Sequence, residues 1–326
     1  MKARVFLVSF AILSVVTLLC VFSRSSLSVG ISPARLLPET EESSVFGLRV
    51  GLQNGASVCY QNAILQNLVR SRVVREWAET VGASSGPVGA ALKDLIDLFD
   101  TKTSGSISAM GFRQALAAGS GSPQWLRGAE DAPEFLTALF QELGPSFTLL
   151  VQVKLGKVCS CPCGDVHPLP DDVTETLIVP LLNTEAAELA SLIHSLTNPD
   201  EVCRLCEVCD VNGSQNQTVI FRAPLPPLLV VQISRFKTVF SKGTPQRVKN
   251  SAPVKLPDQL VLSAQGEAGE EISEYDLLGM AEHTGGHYVA HVREPGNSKW
   301  MFYDDATARN GQGSDQPYIA FYQMRT

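Results

Sequence analysis

Cys59 lies in the run Gly51-Leu52-Gln53-Asn54-Gly55-Ala56-Ser57-Val58-Cys59-Tyr60-Gln61-Asn62-Ala63-Ile64-Leu65-Gln66-Asn67-Leu68, where a turn-forming stretch gives way to a helical pattern. A thiol at that junction is a candidate nucleophile. Ala63, Ile64, Leu65, Leu68 and Val69 recur at helical spacing, which predicts a helix beginning near Val58 with its first free N–H groups pointing at the sulfur. Those donors and the helix dipole favour thiolate over thiol. Asn54, in the turn, is placed to aim its side-chain amide at an oxyanion forming on a carbonyl that Cys59 attacks. A cysteine alone is more often structural than catalytic, so this chemistry requires a base elsewhere in the chain.

Glu282-His283-Thr284-Gly285-Gly286-His287-Tyr288-Val289-Ala290 supplies it. The two glycines permit close backbone approach to a neighbour, and Tyr288, Ala290 and Val292 alternate as in a strand. After the turn Glu294-Pro295-Gly296-Asn297, the strand Lys299-Trp300-Met301-Phe302-Tyr303-Asp304-Asp305 ends in two carboxylates. A hairpin of these strands returns Asp304 to His287, so that Cys59, His287 and Asp304 stand as nucleophile, base and orienter.

These runs resemble the ubiquitin-specific protease family in several separate places. The family's opening box, Gly-Leu-x-Asn-x-Gly-x-Thr-Cys-Tyr-x-Asn-x-x-Leu-Gln, is matched in register by Gly51, Leu52, Asn54, Cys59, Tyr60, Asn62, Leu65 and Gln66, with Ala56 and Val58 departing from it. Its second box appears as Glu130-Asp131-Ala132-Pro133-Glu134-Phe135-Leu136, and a strand box as Leu225-Pro226 through Arg235-Phe236. Gly286 to Tyr288 and Trp300 to Asp305 match the last two, so the likeness runs from about Gly47 to about Tyr322. The resemblance implies a thiol-dependent isopeptidase acting at the C-terminal glycine of ubiquitin through a thioester, with no catalytic cofactor. It makes Cys59 the nucleophile, His287 base and then acid, Asp304 the third triad member and Asn54 the oxyanion donor. Asp305 is similar to a residue that in some members supports the oxyanion hole or the histidine; its plainer reading is a solvated turn carboxylate. Ala56 costs about 1 kcal/mol if its position needs a positive φ. Val58 forfeits a hydroxyl bond of about 1 kcal/mol, and neither change touches the triad.

The implied fold is α+β and papain-like, a helical thumb facing a β-rich palm with fingers. Helical patterns at 58–70, 87–99, 109–118 and 130–143 must carry the nucleophile's wall of the cleft, with a further helix at 185–196 lying in between the strands. Strand patterns at 147–154, 172–181, 217–222, 228–236, 273–281, 286–293 and 299–304 carry the base. The catalytic domain is read as 46–326, with fingers at about 155–225. Six further cysteines form two clusters, Cys159-Ser160-Cys161-Pro162-Cys163 and Cys203-Arg204-Leu205-Cys206-Glu207-Val208-Cys209. Two such clusters read as a structural zinc site more readily than as disulfides. In the first cluster either Cys161 and Cys163, or Cys159 and Cys163, are the ligands, with His167 a substitute. In the second, the distance to Leu225-Pro226 aligns Cys206 and Cys209 with the family pair, Cys203 being the alternative. Zinc lost and thiols free is the other reading.

The chain has 326 residues, is 44% hydrophobic and carries a net charge of −7, which suits one large domain and makes nucleic acid an unfavoured partner. Val5 to Phe22 runs 18 residues without a charge, about 27 Å as a helix and close to the hydrocarbon thickness. Residues 1–24 are therefore read as an uncleaved membrane anchor, with 25–45 a linker rich in Ser, Pro and Glu. The basic residues before the run point the domain out of the cytosol, whereas ubiquitin chemistry places it in the cytosol, on the endoplasmic reticulum or mitochondrial outer membrane. A cleaved signal would send it into the secretory pathway instead. The sequons Asn212-Gly213-Ser214 and Asn216-Gln217-Thr218 separate these outcomes. Competing functions are a protease for a ubiquitin-like modifier and a catalytically inactive, membrane-tethered ubiquitin-binding module.

Overall fold

A computed structural model of the protein describes residues 48–206, 208–241, 244–294 and 299–325. The proposed anchor and linker, and the centre of the turn after Glu294, lie outside these residues, as does the Cys203 side chain. Among the described residues no helix is long and apolar enough to cross a membrane.

Helices dominate the first part of the described chain. Strand β1 (Val50–Leu52) leads into α1 (Cys59–Leu68), α2 (Arg72–Thr80) and α3 (Pro87–Asp100); β2 (Gly105–Ile107) then pairs parallel with β1, and α4 (Met110–Ser120), α5 (Ala132–Leu143) and α6 (Pro145–Val151) follow. The helix starts have local causes. Ser71 Oγ accepts from Val74 N at the start of α2, and proline sits in the first turn of α3, α5 and α6, where its fixed φ suits the helix and its missing N–H costs nothing. Gly121, left-handed at φ 65°, ends α4.

Strands follow: β3 (Val153–Ser160), β4 (Val166–Thr174), β5 (Leu177–Pro180), β6 (Ala187–Glu188), helix α7 (Leu189–Ser195), β7 (Asp200–Cys206), β8 (Val211–Arg222), β9 (Leu228–Ser234), β10 (Phe236–Ser241), β11 (Thr244–Lys249), β12 (Val254–Lys255), β13 (Gln259–Gly266), β14 (Gly269–His283), β15 (Tyr288–Arg293), β16 (Trp300–Asp304), β17 (Thr307–Gly311) and β18 (Pro317–Met324). The main sheet runs β17-β16-β15-β14-β13-β8-β3-β4, with β18 joining β14 to β9, β5 beside β9 and β7 beside β8. The hairpins β3–β4 and β7–β8 are laid together by β3–β8 pairing and make the fingers. Hairpin β10–β11 stands as its own two-stranded sheet.

One core joins α1 to α6 to the sheet through residues such as Leu65, Leu92, Phe135, Phe140, Val230, Ala290 and Phe321. A second, on the other face, packs Ile193 of α7 against Val231, Leu260 and Tyr275. The strand expected over 147–154 is instead α6 followed by β3: Phe147 and Val151 are both fully buried at a helical i, i+4 spacing, and Pro145 presets the first turn. The helix expected over 185–196 is shortened because Ala187 and Glu188 pair with Val254 and Lys255. The strand expected over 172–181 divides into the end of β4 and β5.

Candidate active site

Strands β15 and β16 form the expected hairpin, with Ala290 opposite Tyr303. It brings Asp304 Oδ1 to 2.7 Å from His287 Nε2, both side chains being partly exposed. With Nε2 engaged there, Nδ1 is the ring nitrogen left to take a proton. Gly285 and Gly286 hold φ of 81° and 113°, and a Cβ on either would meet nothing within 4 Å. They serve the turn that presents His287, and the close backbone approach expected from sequence is absent.

Cys59 is the first residue of α1, 6% exposed. The Tyr288 backbone lies near enough to the thiol to lower its pKa, which sets the nucleophile in the neighbourhood of the residue following His287. The donors at the helix start favour thiolate as expected, and burial outweighs them. Burial raises the thiol above its ordinary value of 9.0, the Tyr288, Tyr60 and Cys59 backbone donors offset only part of this, and the Asp305 charge raises it further. The thiol therefore depends on a base to lose its proton.

Asp305 is no solvated turn carboxylate. Its Oδ2 accepts from Asn54 Nδ2 and its Oδ1 from Asn62 Nδ2, each at 2.7 Å. Asn54 Oδ1 in turn accepts from Val58 N at 2.9 Å. The Asn54 amide, expected to point at an oxyanion, is thus held by Asp305 immediately in front of Cys59. The turn carrying Asp305 docks on β1: Leu52 N donates to Asp305 O at 2.7 Å, and a Cβ on Gly51 would lie 2.3 Å from the Ala306 backbone. Only glycine fits that crossing. The left-handed residues here are Ser57 at φ 59° and Asp305 at φ 49°; Ala56 is not among them, so its methyl carries no such strain. Val58 is fully buried.

Sequence reasoning missed Asp131, Asn62 and Arg113 as site residues. Asp131 begins α5 without capping it; its carboxylate accepts from Tyr288 OH (2.6 Å), Arg247 Nη2 (2.9 Å) and Tyr318 OH (3.3 Å). Burial pushes this carboxyl up, but the three donors outweigh it and leave it below 3.8. Helices and sheet are tied here across the cleft. Asn62 carried a signal, its register in the opening box. Arg113 did too, as a lone cation between Phe112 and Leu116 on the buried side of α4.

At the finger tip the Sγ atoms of Cys161, Cys163, Cys206 and Cys209 all lie within 4.8 Å of one another. Cys161–Cys209 is 3.8 Å and Cys163–Cys206 3.7 Å. A tetrahedral site with Zn–S bonds of about 2.3 Å has edges of about 3.8 Å, so this donor set fits zinc. Cys159 is not a member; it is buried within β3. His167 is held by Asp165 at 3.1 Å and stands outside the cluster too. The proposed set of four is brought together, and the alternatives with described side chains are not.

A family model of ubiquitin carboxyl-terminal hydrolases matches residues 50–322. The chain belongs to that family. It is 26% identical over 304 residues to "Ubiquitin carboxyl-terminal hydrolase 26" of Oryza sativa subsp. japonica, covering 85% of this chain and 27% of that one. "Ubl carboxyl-terminal hydrolase 18" of Mus musculus is 28% identical over 144 residues, 40% of this chain and 39% of that one. This hydrolase-family chain spans about a quarter of the plant relatives it matches, 27% and 25%. Its fold is similar to that of one chain in the structure of the SAGA Ubp8/Sgf11/Sus1/Sgf73 DUB module bound to ubiquitin aldehyde, at TM-score 0.71 and 19% identity, covering 87% of this chain and 71% of that one. The α+β fold of this family, implied by the sequence boxes, is thereby shown.

Proposed function

We propose that the protein is a thiol-dependent deubiquitinase that hydrolyses the isopeptide bond at the C-terminal glycine of ubiquitin. The observation that carries this reading is the bond of His287 to Asp304, with Cys59 at the first position of α1 and its thiol under the influence of the backbone of Tyr288, the residue after His287. His287 Nδ1 takes the thiol proton as Sγ attacks the glycine carbonyl carbon. The tetrahedral intermediate collapses, the substrate lysine leaves with the proton from His287, and a thioester remains on Cys59. Water, deprotonated by His287, then releases the ubiquitin carboxylate and the free thiol. Asn54, held by Asp305, donates to the forming oxyanion. Cys161, Cys163, Cys206 and Cys209 would hold a zinc ion as a structural site, which would tie the two hairpins together there and supply no group to these steps.

The mouse relative named as a Ubl hydrolase supports a second reading, action on a ubiquitin-like modifier. Full-length protein supplied in parallel with the aminomethylcoumarin amides of ubiquitin and of a ubiquitin-like modifier separates the two. Release from ubiquitin at the higher kcat/KM, abolished in Cys59→Ala, is expected. No release from either, or release that persists in Cys59→Ala, counts against both. A membrane tether through Val5 to Phe22, with the domain in the cytosol, is part of the same proposal, supported by the length of that uncharged run and the cytosolic location of ubiquitin. Sugar on Asn212 or Asn216 in cell-made protein would overturn that placement.

A further inference from the structure

Arg113 is 2% exposed, and the bonds it makes go to uncharged acceptors in the two segments that flank Cys59. Its Nη2 donates to Asn62 Oδ1 at 2.6 Å and to Gln53 O at 3.5 Å, and its Nε to Gln61 Oε1 at 3.2 Å. Burying a guanidinium against amides is expensive, and a neutral amide would fill most of the same role in a purely structural site. Burial indeed lowers its pKa, with Asp305 among the charges that restore part of it.

A guanidinium only donates, so the atom of Asn62 facing it must be the oxygen. That fixes the other end. Asn62 Nδ2 is turned to Leu52 O at 3.2 Å and to Asp305 Oδ1 at 2.7 Å. Asp305 Oδ2 holds Asn54 Nδ2, and Asn54 Oδ1 holds the N–H of Val58, the residue before the nucleophile. Each link has one permitted direction: the carboxylate only accepts, so it draws Nδ2 of both Asn54 and Asn62 toward it, and Arg113 supplies the donor that fits this orientation of Asn62.

Resting on the deubiquitinase reading, we propose that Arg113 is a positioning residue for the oxyanion side of the reaction, acting through Asn62 and Asp305 on Asn54. It touches no substrate. A lysine in its place offers a compact point charge that cannot span Asn62, Gln61 and Gln53 together.

The test measures full-length wild type, Arg113→Lys and Arg113→Gln with ubiquitin aminomethylcoumarin amide, together with alkylation of Cys59 by iodoacetamide. Wild-type turnover checks the underlying reading first. Expected in both variants is a kcat lowered about 10²-fold, the scale of losing one oxyanion donor, with KM and alkylation rate each within about twofold of wild type. Introducing Arg113→Lys into Asn54→Ala should cost no more than about twofold further, because the two act in one path. Unchanged kcat, or kcat and alkylation falling together, overturns the inference in favour of a structural arginine. A readout independent of turnover is the pair of side-chain amide NMR signals of Asn54. They should shift in Arg113→Lys or Arg113→Gln, and signals left in place overturn the inference whether or not the enzyme turns over.

Discussion

Asn54 and Asp305, 251 residues apart, are joined at 2.7 Å in front of the nucleophile. The bond crosses from the loop before α1 to the β16–β17 turn, and Asn62 holds the other carboxylate oxygen at the same distance. Asp305 is thus the keystone of the oxyanion side, as Asp304 is of the histidine side. Replacing Asp305 by Ala frees both amides to rotate. A fall in kcat of about 10²-fold is expected, since one oxyanion donor is worth that much, while iodoacetamide should still reach Cys59 at an undiminished rate. Steady-state kinetics beside a timed alkylation checks both halves.

Asp131 ties α5 to the sheet through Tyr288, Tyr318 and Arg247. Asp131→Ala leaves two buried hydroxyls without their acceptor and should cost at least about 3 kcal/mol, at about 1.5 kcal/mol or more per bond to a charged group. Denaturant unfolding of the variant measures it. A loss under about 0.5 kcal/mol would show that the hydroxyls find other partners.

The carboxyls of Asp131 and Glu282 both sit below their ordinary values of 3.8 and 4.5, in each case because hydrogen bonds outweigh burial. Depressed acids stabilise the fold above their unfolded pKa, and that stability is lost as pH falls through the folded one. Stability should therefore hold down to about pH 5 and decline below it. Cys59 has the opposite sign. Its thiol is raised above 9.0 by burial, so the stability it adds is present below 9.0 and is lost as pH rises further. Alkylation of Cys59 should also keep climbing past pH 9. A rate that levels off below pH 7 would indicate a preformed thiolate paired with His287.

Finger geometry makes a separate statement about metal. Cys206→Ser removes one of four sulfurs spaced for zinc, and should cut bound zinc measured by atomic emission from about one per chain to a small fraction. Strong chelators should lower the melting temperature of wild type and leave Cys206→Ser unmoved. Equal metal content in both proteins would exclude Cys206 as a ligand.

Cys59 and the His287–Asp304 pair were legible because they fall in ordered boxes whose spacing survives in a single sequence. The four zinc-spaced cysteines were legible for the same reason, although Cys159 stayed open until its place within β3 was known. Other features depended on distances that spacing does not hold. Nothing in the order Asp304-Asp305 says that the second carboxylate turns back onto Asn54 and Asn62. Arg113 reads as one polar residue in an amphipathic helix until its neighbours are seen. Helix α6 was missed because Phe147 to Val151 is apolar and short, a pattern that serves a strand equally well. Edge strands such as β10, β11 and β17 are largely exposed and lack an apolar alternation to announce them.

The central claim is that Cys59, served by His287 and Asp304, attacks the carbonyl at the C terminus of ubiquitin. Incubation of the full-length protein with ubiquitin bearing a C-terminal propargylamide, followed by intact mass and peptide mapping, reads that event directly. A single adduct on Cys59, absent in Cys59→Ala and strongly slowed in His287→Ala, is the expected result. No adduct on wild-type protein that still binds ubiquitin, or an adduct on another cysteine, would contradict it.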